Sequence, residues 1–186
     1  MASAITHFIV GAAAGLPAME AASLRGILPR WAIPVTAGLF AVAPDLDTYA
    51  MFAFDIPRGS LYSHRGFFHS PFFLALLAFG VARLVSGTKA WITLGLLWTC
   101  AAVTHPLLDM FTDGGSGVML LFPFTTDRLF FPWRPIRVSP LGIARFFDRA
   151  GEILLSELPF CIGALALGWV ILNRVARARC YPDSDR

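Results

Sequence analysis

Charged residues are scarce in this chain. Asp, Glu, Lys and Arg make up 15% of its 186 residues, whereas a typical soluble domain has about 25%. Hydrophobic residues reach 56%, and the charges leave long stretches almost empty. This composition argues against a soluble helical protein with an apolar core. It predicts one membrane-embedded domain that covers residues 1–186.

Cysteine is also rare, and its placement excludes a disulfide framework. The chain has three cysteines, and no two of them have the C-x-x-C spacing. Cys100 and Cys161 fall inside apolar stretches, and Cys180 lies near the end of the chain. We therefore expect free thiols.

Five apolar segments predict an all-α, polytopic membrane protein with about five transmembrane helices. A span needs about 20 apolar residues, and the second segment is short and contains Pro34. Four spans plus a re-entrant segment is therefore the alternative. The segments are Ala4 to Ala22, Trp31 to Ala43, Pro71 to Val85, Trp91 to Leu108 and Ile153 to Leu172.

One long polar stretch, residues 111–152, separates the fourth and fifth segments. It opens with Thr-Asp-Gly-Gly-Ser-Gly, contains four prolines and interleaves arginines with aromatic residues. Basic and aromatic side chains together are typical of a membrane interface. We expect an interfacial loop that contacts membrane lipid. Its position beside membrane segments disfavours binding to nucleic acid.

The histidines and several isolated acids stand at the ends of the apolar segments. If each segment crosses the membrane, the start of the first, the end of the second, the start of the third and the end of the fourth share one side. All four histidines and three carboxylates would then converge there. These residues are His7, Asp45, Asp47, His64, His69, His105 and Asp109.

This mixture of imidazoles and carboxylates predicts a divalent metal site. His105 and Asp109 are four residues apart and so lie on one helical face. The ligand types favour zinc, with manganese or iron as alternatives. Seven candidate ligands exceed what one tetrahedral ion needs, so either two ions bind or some of the seven orient ligands or act as a general base. Glu157, an acid inside the fifth segment, should be paired.

The order and spacing of these motifs resemble the membrane-bound metal-dependent hydrolases, some of which are described as LexA-binding, inner-membrane-associated hydrolases. The similarity covers most of the chain to about residue 140, and one departure is Phe68, where a threonine is expected. The motifs are Thr6-His7, Pro44-Asp45-Leu46-Asp47, His64-Arg65-Gly66 with His69-Ser70, Thr104-His105-Pro106-Leu107-Leu108-Asp109, and the Gly-rich and Pro-Phe stretch from Gly114 to Phe124.

The resemblance implies a multi-pass protein of the cell inner (plasma) membrane that hydrolyses a substrate with a bound metal. We expect a phosphoester or a lipid-linked, anionic substrate. Asp45 or Asp47 would take a proton from water, and Arg65 would hold the anionic group. The alternatives are a non-catalytic membrane protein with a structural metal site and a metal transporter.

Overall fold

A computed structural model describes residues 1–87, 90–140 and 143–180. Within these ranges the regular structure is helical, and the only β pairings are two isolated bridges. The α-helices are α1 (Ala4–Gly15), α2 (Ala32–Val42), α3 (Leu46–Ala53), α4 (Pro71–Ser86), α5 (Ala90–Met110), α6 (Ile143–Phe147) and α7 (Ala150–Cys180). The all-α prediction is therefore confirmed for the described residues.

Each of the five predicted apolar segments forms a helix, but the prediction of about five spans needs correction. Among the helices of the described residues, only α5 and α7 are long and apolar enough to cross a membrane. Helix α1 has 12 residues and α2 has 11. At a rise of 1.5 Å per residue, such a helix covers roughly 17 Å of a hydrocarbon core about 30 Å thick.

The outer surface of α7 is strongly apolar. Leu155 is 71% exposed, Leu167 is 61% exposed and Trp169 is 60% exposed. In contrast, α5 buries one side within the protein, where Leu94 and Ala101 are fully buried, while Leu96 on its other side is 55% exposed. An apolar surface of this kind is costly in water, whereas lipid tails cover it without cost.

Small residues bring α1 and α2 together. A Cβ at Gly11 would lie 2.2 Å from the Cβ of Ala41, so only glycine permits this approach. Ala37 and Ala41 are fully buried in the same contact region. Close packing through small side chains is how helices associate in membranes, and it fixes the ends of α1 and α2 beside each other.

The start of α4 follows its sequence signals. Ser70 is the N-cap, and its Oγ accepts a hydrogen bond from the Phe72 N–H at 3.2 Å. Pro71 occupies the first helical position, where its missing N–H costs nothing. This cap follows a 3₁₀ turn (Phe67–His69), which places His69 directly before the helix.

The segment after α5 folds back over the ends of the helices. Backbone bridges join Thr112 to Ile136 and Val118 to Leu129. Helix α6 follows, and α7 begins at Ala150, two residues before the predicted end of the loop at 152. The Thr112–Gly117 turn thereby comes to lie beside the loop that carries His64.

Candidate metal centre

The predicted ligands occupy neighbouring helix ends. His7 lies in the first turn of α1, Asp45 follows α2, and His69 precedes α4. His105 and Asp109 lie in the last two turns of α5. His7, His69, His105 and Asp109 are fully buried, and Asp45 is 7% exposed. The helix ends thus gather these polar side chains in one interior region.

Six of the seven predicted ligands form three overlapping groups. In each group one ligand atom from every member lies within 4.8 Å of the others. Such separations allow one cation to contact all members of a group. The groups are His7, Asp45 and His105; Asp45, His64 and His69; and His69, His105 and Asp109.

Asp45 and Asp109 each lie close to histidines of more than one group. Asp109 Oδ1 lies 3.4 Å from His7 Nε2, and its Oδ2 lies 3.9 Å from His69 Nε2 and 3.8 Å from His105 Nε2. Asp45 Oδ1 lies 3.4 Å from His105 Nε2 and 3.9 Å from His64 Nδ1. These distances are longer than direct hydrogen bonds and leave the nitrogen and oxygen atoms facing one another.

Most of these atoms lack a hydrogen-bond partner within the described ranges. A buried polar atom without a partner costs about 1–3 kcal/mol, so a cluster of them is typical of a ligand-binding site. Divalent metals that favour imidazole nitrogen and carboxylate oxygen fit this donor set. Nine buried atoms of the cluster lack a hydrogen-bond partner in the described part of the chain: His7 Nδ1 and Nε2, Asp45 Oδ1 and Oδ2, Asp47 Oδ2, His64 Nε2, His69 Nδ1 and Nε2, and His105 Nε2.

Backbone and carboxylate acceptors set the orientation of two imidazoles. His105 Nδ1 lies 2.7 Å from the Ala41 carbonyl oxygen, and His64 Nδ1 lies 2.8 Å from Asp47 Oδ1. Both acceptors lack a hydrogen, so each Nδ1 carries the proton and donates it. When these rings are neutral, the Nε2 atom of each keeps its lone pair, as a metal ligand requires.

Asp47 differs from the other predicted ligands because it belongs to none of the three groups. Its Oδ1 accepts the His64 hydrogen bond, and its Oδ2 lies 3.1 Å from His69 Nδ1. Burial alone would raise the pKa of Asp47, but these two histidines outweigh it and lower the pKa. Burial lowers the pKa of His69 and so favours its neutral form. Asp47 is placed to orient two imidazoles.

Arg65 is 1% exposed, and most of its hydrogen-bonding capacity is used within the protein. Nε donates to Asp109 Oδ2 at 2.9 Å, Nη2 to Thr112 Oγ1, and Nη1 to the carbonyls of Gly114 and Ser116. Four of its five N–H groups thus bind protein acceptors. Its φ of 63° is unusual for a residue other than glycine.

Arg128 also helps to form the site, although no sequence motif assigns it a role. Nη1 donates to the carbonyls of His64 and Gly117, and Nη2 donates to the Ser60 carbonyl and to Ser63 Oγ. Arg128 therefore fastens the His64 loop to the segment after α5. Its acceptors are mainly backbone carbonyls, which no side-chain motif reveals.

Glu157 is paired, as expected for an acid inside an apolar segment. Oε1 accepts the Ser3 N–H at 2.5 Å, and Oε2 accepts from Ser3 Oγ at 2.5 Å and from Thr6 Oγ1 at 2.8 Å. The partners are the N-cap and first turn of α1. Glu157 thus holds α7 against the helix that carries His7, and it contacts none of the candidate ligands.

Fold and site together define a helical protein with membrane-spanning segments and a buried histidine–aspartate cluster. The family of YdjM inner membrane proteins matches residues 1–177. The inner membrane protein YbcI of Escherichia coli (strain K12) is 36% identical over 166 residues, which cover 85% of this chain and 89% of YbcI. No solved structure matches the chain. The chain belongs to the YdjM inner membrane protein family, which confirms its predicted place in the inner membrane.

Proposed function

We propose that this inner membrane protein is a metal-dependent hydrolase that acts on a phosphoester. The observation that carries the proposal is the set of buried nitrogen and oxygen atoms in the histidine–aspartate cluster that lack a hydrogen-bond partner within the described residues: seven atoms remain after Asp47 Oδ2 and His69 Nδ1, which face each other at 3.1 Å, are set aside. Their number and their mutual approach exceed what helix capping requires. In this proposal α1, α2 and α4 complete a multi-pass bundle with the two long helices.

Three residues appear in two ligand groups each: Asp45, His69 and His105. This overlap supports two adjacent ion positions that share ligands, with zinc favoured and manganese or iron as alternatives. Bound ions of this kind supply Lewis acidity, which makes water a nucleophile near neutral pH.

The two aspartates predicted to be catalytic receive different roles. Neither carboxylate oxygen of Asp45 has a hydrogen-bond partner among the described residues, so one oxygen can bind an ion while the other accepts a proton from water. Asp47 faces His64 and His69 and acts as a positioning residue. Asp45 is therefore our candidate general base.

Arg65 also changes role in this proposal. Its contacts with Asp109, Thr112 and the loop carbonyls leave too few free N–H groups to grip an anionic substrate. Arg65 instead holds Asp109 in position and neutralises its charge. A substrate anion then needs a different cation.

The two alternatives make different demands on the fold. A transporter should carry ionisable groups near the middle of the bilayer, but the described cluster lies at the helix ends around α1 and α5. A structural metal site is closed and needs no adjacent cavity. Cavities border this cluster at Asp45 and at His64, which favours catalysis.

The test combines metal analysis with phosphoester hydrolysis. Purified protein should contain stoichiometric metal, and His69→Ala and His105→Ala should each lose the metal together with hydrolysis of p-nitrophenyl phosphate or its bis-ester. Asp127→Asn is the control, since it alters an exposed acid outside the ligand groups and should keep the metal. Metal bound without hydrolysis of any phosphoester would favour the structural alternative. Wild-type protein without metal would refute the site itself.

A further inference from the structure

Two cavities adjoin the candidate metal centre on different sides. One, of about 420 Å³, lies between the start of α1, the end of α2 and α3, and Asp45 is in its wall. The other, of about 320 Å³, is lined by His64, Arg58 and the hydroxyl-bearing residues Ser63, Ser116 and Ser139. Met1 lines both, so the two cavities are adjacent at this residue.

The larger cavity is mainly apolar and opens beside an apolar stripe on α3. Leu46, Tyr49 and Phe52 line it and recur every third residue, so they lie on one side of the helix. They are 63%, 72% and 59% exposed. Such a stripe is costly in water but suits the interface between acyl chains and headgroups. The cavity therefore opens towards lipid.

The smaller cavity offers a cation. Arg58 is exposed, and within the described ranges no carboxylate forms an ion pair with it. Arg65 lines the same cavity but is committed to Asp109 and the loop carbonyls. A guanidinium without a partner, next to hydroxyl groups, suits a phosphate group.

We propose that the two cavities bind one membrane lipid with an anionic phosphate headgroup. Its acyl chain lies between α1 and α3, and its phosphate lies between Arg58 and the histidine–aspartate cluster. This proposal rests on the proposed function, since it names the substrate class of the same site. Asp45, in the wall of the apolar cavity, would then face the junction between chain and headgroup.

Native mass spectrometry of the full chain separates lipid binding from catalysis. The probes are phosphatidic acid and phosphatidylcholine with identical acyl chains. Ala4→Phe places a ring in the apolar cavity and should weaken binding of both lipids. Arg58→Ala should reduce binding of phosphatidic acid about tenfold, because one charge-assisted contact is lost, and should weaken phosphatidylcholine binding less, because the choline cation offsets the single charge of its phosphate. Inorganic phosphate should compete weakly, because it lacks the acyl chain.

Two matched variants control for general effects. Ala14→Phe changes an exposed alanine on the same helix that lines neither cavity, and Arg83→Ala removes an exposed arginine at the far end of α4. Both should bind the lipids like the wild type. Unchanged binding in Ala4→Phe and Arg58→Ala would overturn the lipid proposal even if the protein hydrolyses a soluble phosphoester. The expected lipid binding without any hydrolysis would instead refute the proposed function alone.

Discussion

The imidazole rings of His7 and His105 stack with their centroids 3.5 Å apart and their planes 12° from parallel. The rings come from α1 and α5, and both Nε2 atoms face Asp109. Two protonated rings at this distance would repel each other, so at most one carries a positive charge. The stack thus keeps nitrogen lone pairs available beside a carboxylate, which is how a cation is bound.

His7→Phe should preserve this stack and remove both ring nitrogens of residue 7. We expect metal affinity to fall by more than the roughly 10–100-fold that is typical when a residue only orients ligands, while the protein stays folded. Metal titration and thermal unfolding of the metal-free protein would measure the two effects. His7→Ala is the comparison, since it should lose both metal and stability. Full metal affinity in His7→Phe would remove His7 from the ligand set.

Asp45→Asn and Asp47→Asn should separate a ligand from a positioning residue. Asp47 contacts His64 and His69 but belongs to no ligand group, so Asp47→Asn should reduce metal affinity about 10–100-fold. Asp45→Asn should reduce it further, because an unpartnered carboxylate in two ligand groups is lost. Equal losses in the two variants would contradict the distinction. Competition with a fluorescent chelator gives both constants.

Arg65→Gln should be strongly destabilising. It leaves the fully buried Asp109 without its guanidinium partner, and breaking a buried ion pair costs about 3–5 kcal/mol. Arg137→Gln is the control, because its pair with Asp113 is exposed and should contribute at most about 1 kcal/mol. Unfolding in mixed micelles would measure both changes. A loss as small as that of Arg137→Gln would show that Arg65 is not required to neutralise Asp109.

The positions of the polar side chains at the ends of the apolar segments predicted which of them would lie close together. His7, His69 and His105 lie in different parts of the chain, yet each stands at the end of an apolar segment, and α1, α4 and α5 bring those ends together. The separate roles of Asp45 and Asp47 could not be predicted, because two carboxylates in one short turn look alike until their neighbours are placed. The role of Arg65 depends on Thr112 and on carbonyls from a loop far along the chain.

The positions of the apolar segments were easier to predict from the sequence than the lengths of the helices that they form. The 3₁₀ turn after α1, Leu16–Glu20, ends the regular helix inside the first predicted segment, which stays apolar to Ala22, and Pro17 lies in that turn. Hydrophobicity alone cannot distinguish such a break from a continuous span. The partner of Glu157 was equally hidden, since Ser3 and Thr6 are ordinary capping residues until α7 packs against α1.

Acid should remove a stabilising contact at Asp113. Burial would raise the pKa of this carboxyl, but the Val138 N–H and the Arg137 guanidinium outweigh burial and hold the pKa below its usual value of 3.8. A lowered pKa in the folded state stabilises the protein fully above pH 3.8, and the effect disappears as the pH falls through the lowered value. The melting temperature of the wild type should therefore be slightly higher than that of Asp113→Asn at neutral pH. In acid, the two melting temperatures should become equal. A difference that grows in acid would contradict this sign.

The candidate metal centre should face away from the cytoplasm. Helix α7 begins beside the cluster, where Glu157 holds Ser3, and its other end lies near Glu20, 3.9 Å from Arg179. Arg174, Arg177 and Arg179 therefore stand at the end of α7 opposite the cluster. Short basic segments at the end of a span remain in the cytoplasm. This bias places the C-terminal end of α7 inside and the cluster outside.

Cysteine labelling in spheroplasts with a membrane-impermeant maleimide tests this orientation in a Cys180→Ser background. Thr126→Cys lies in the segment after α5, on the cluster side, and should react. Ala178→Cys lies at the basic end of α7 and should react only after the membrane is permeabilised. A fluorescent protein fused to the C-terminus should be bright, and alkaline phosphatase fused there should be inactive. Labelling of Ala178→Cys but not Thr126→Cys in sealed spheroplasts would place the cluster in the cytoplasm, because the two positions lie at opposite ends of the helical bundle.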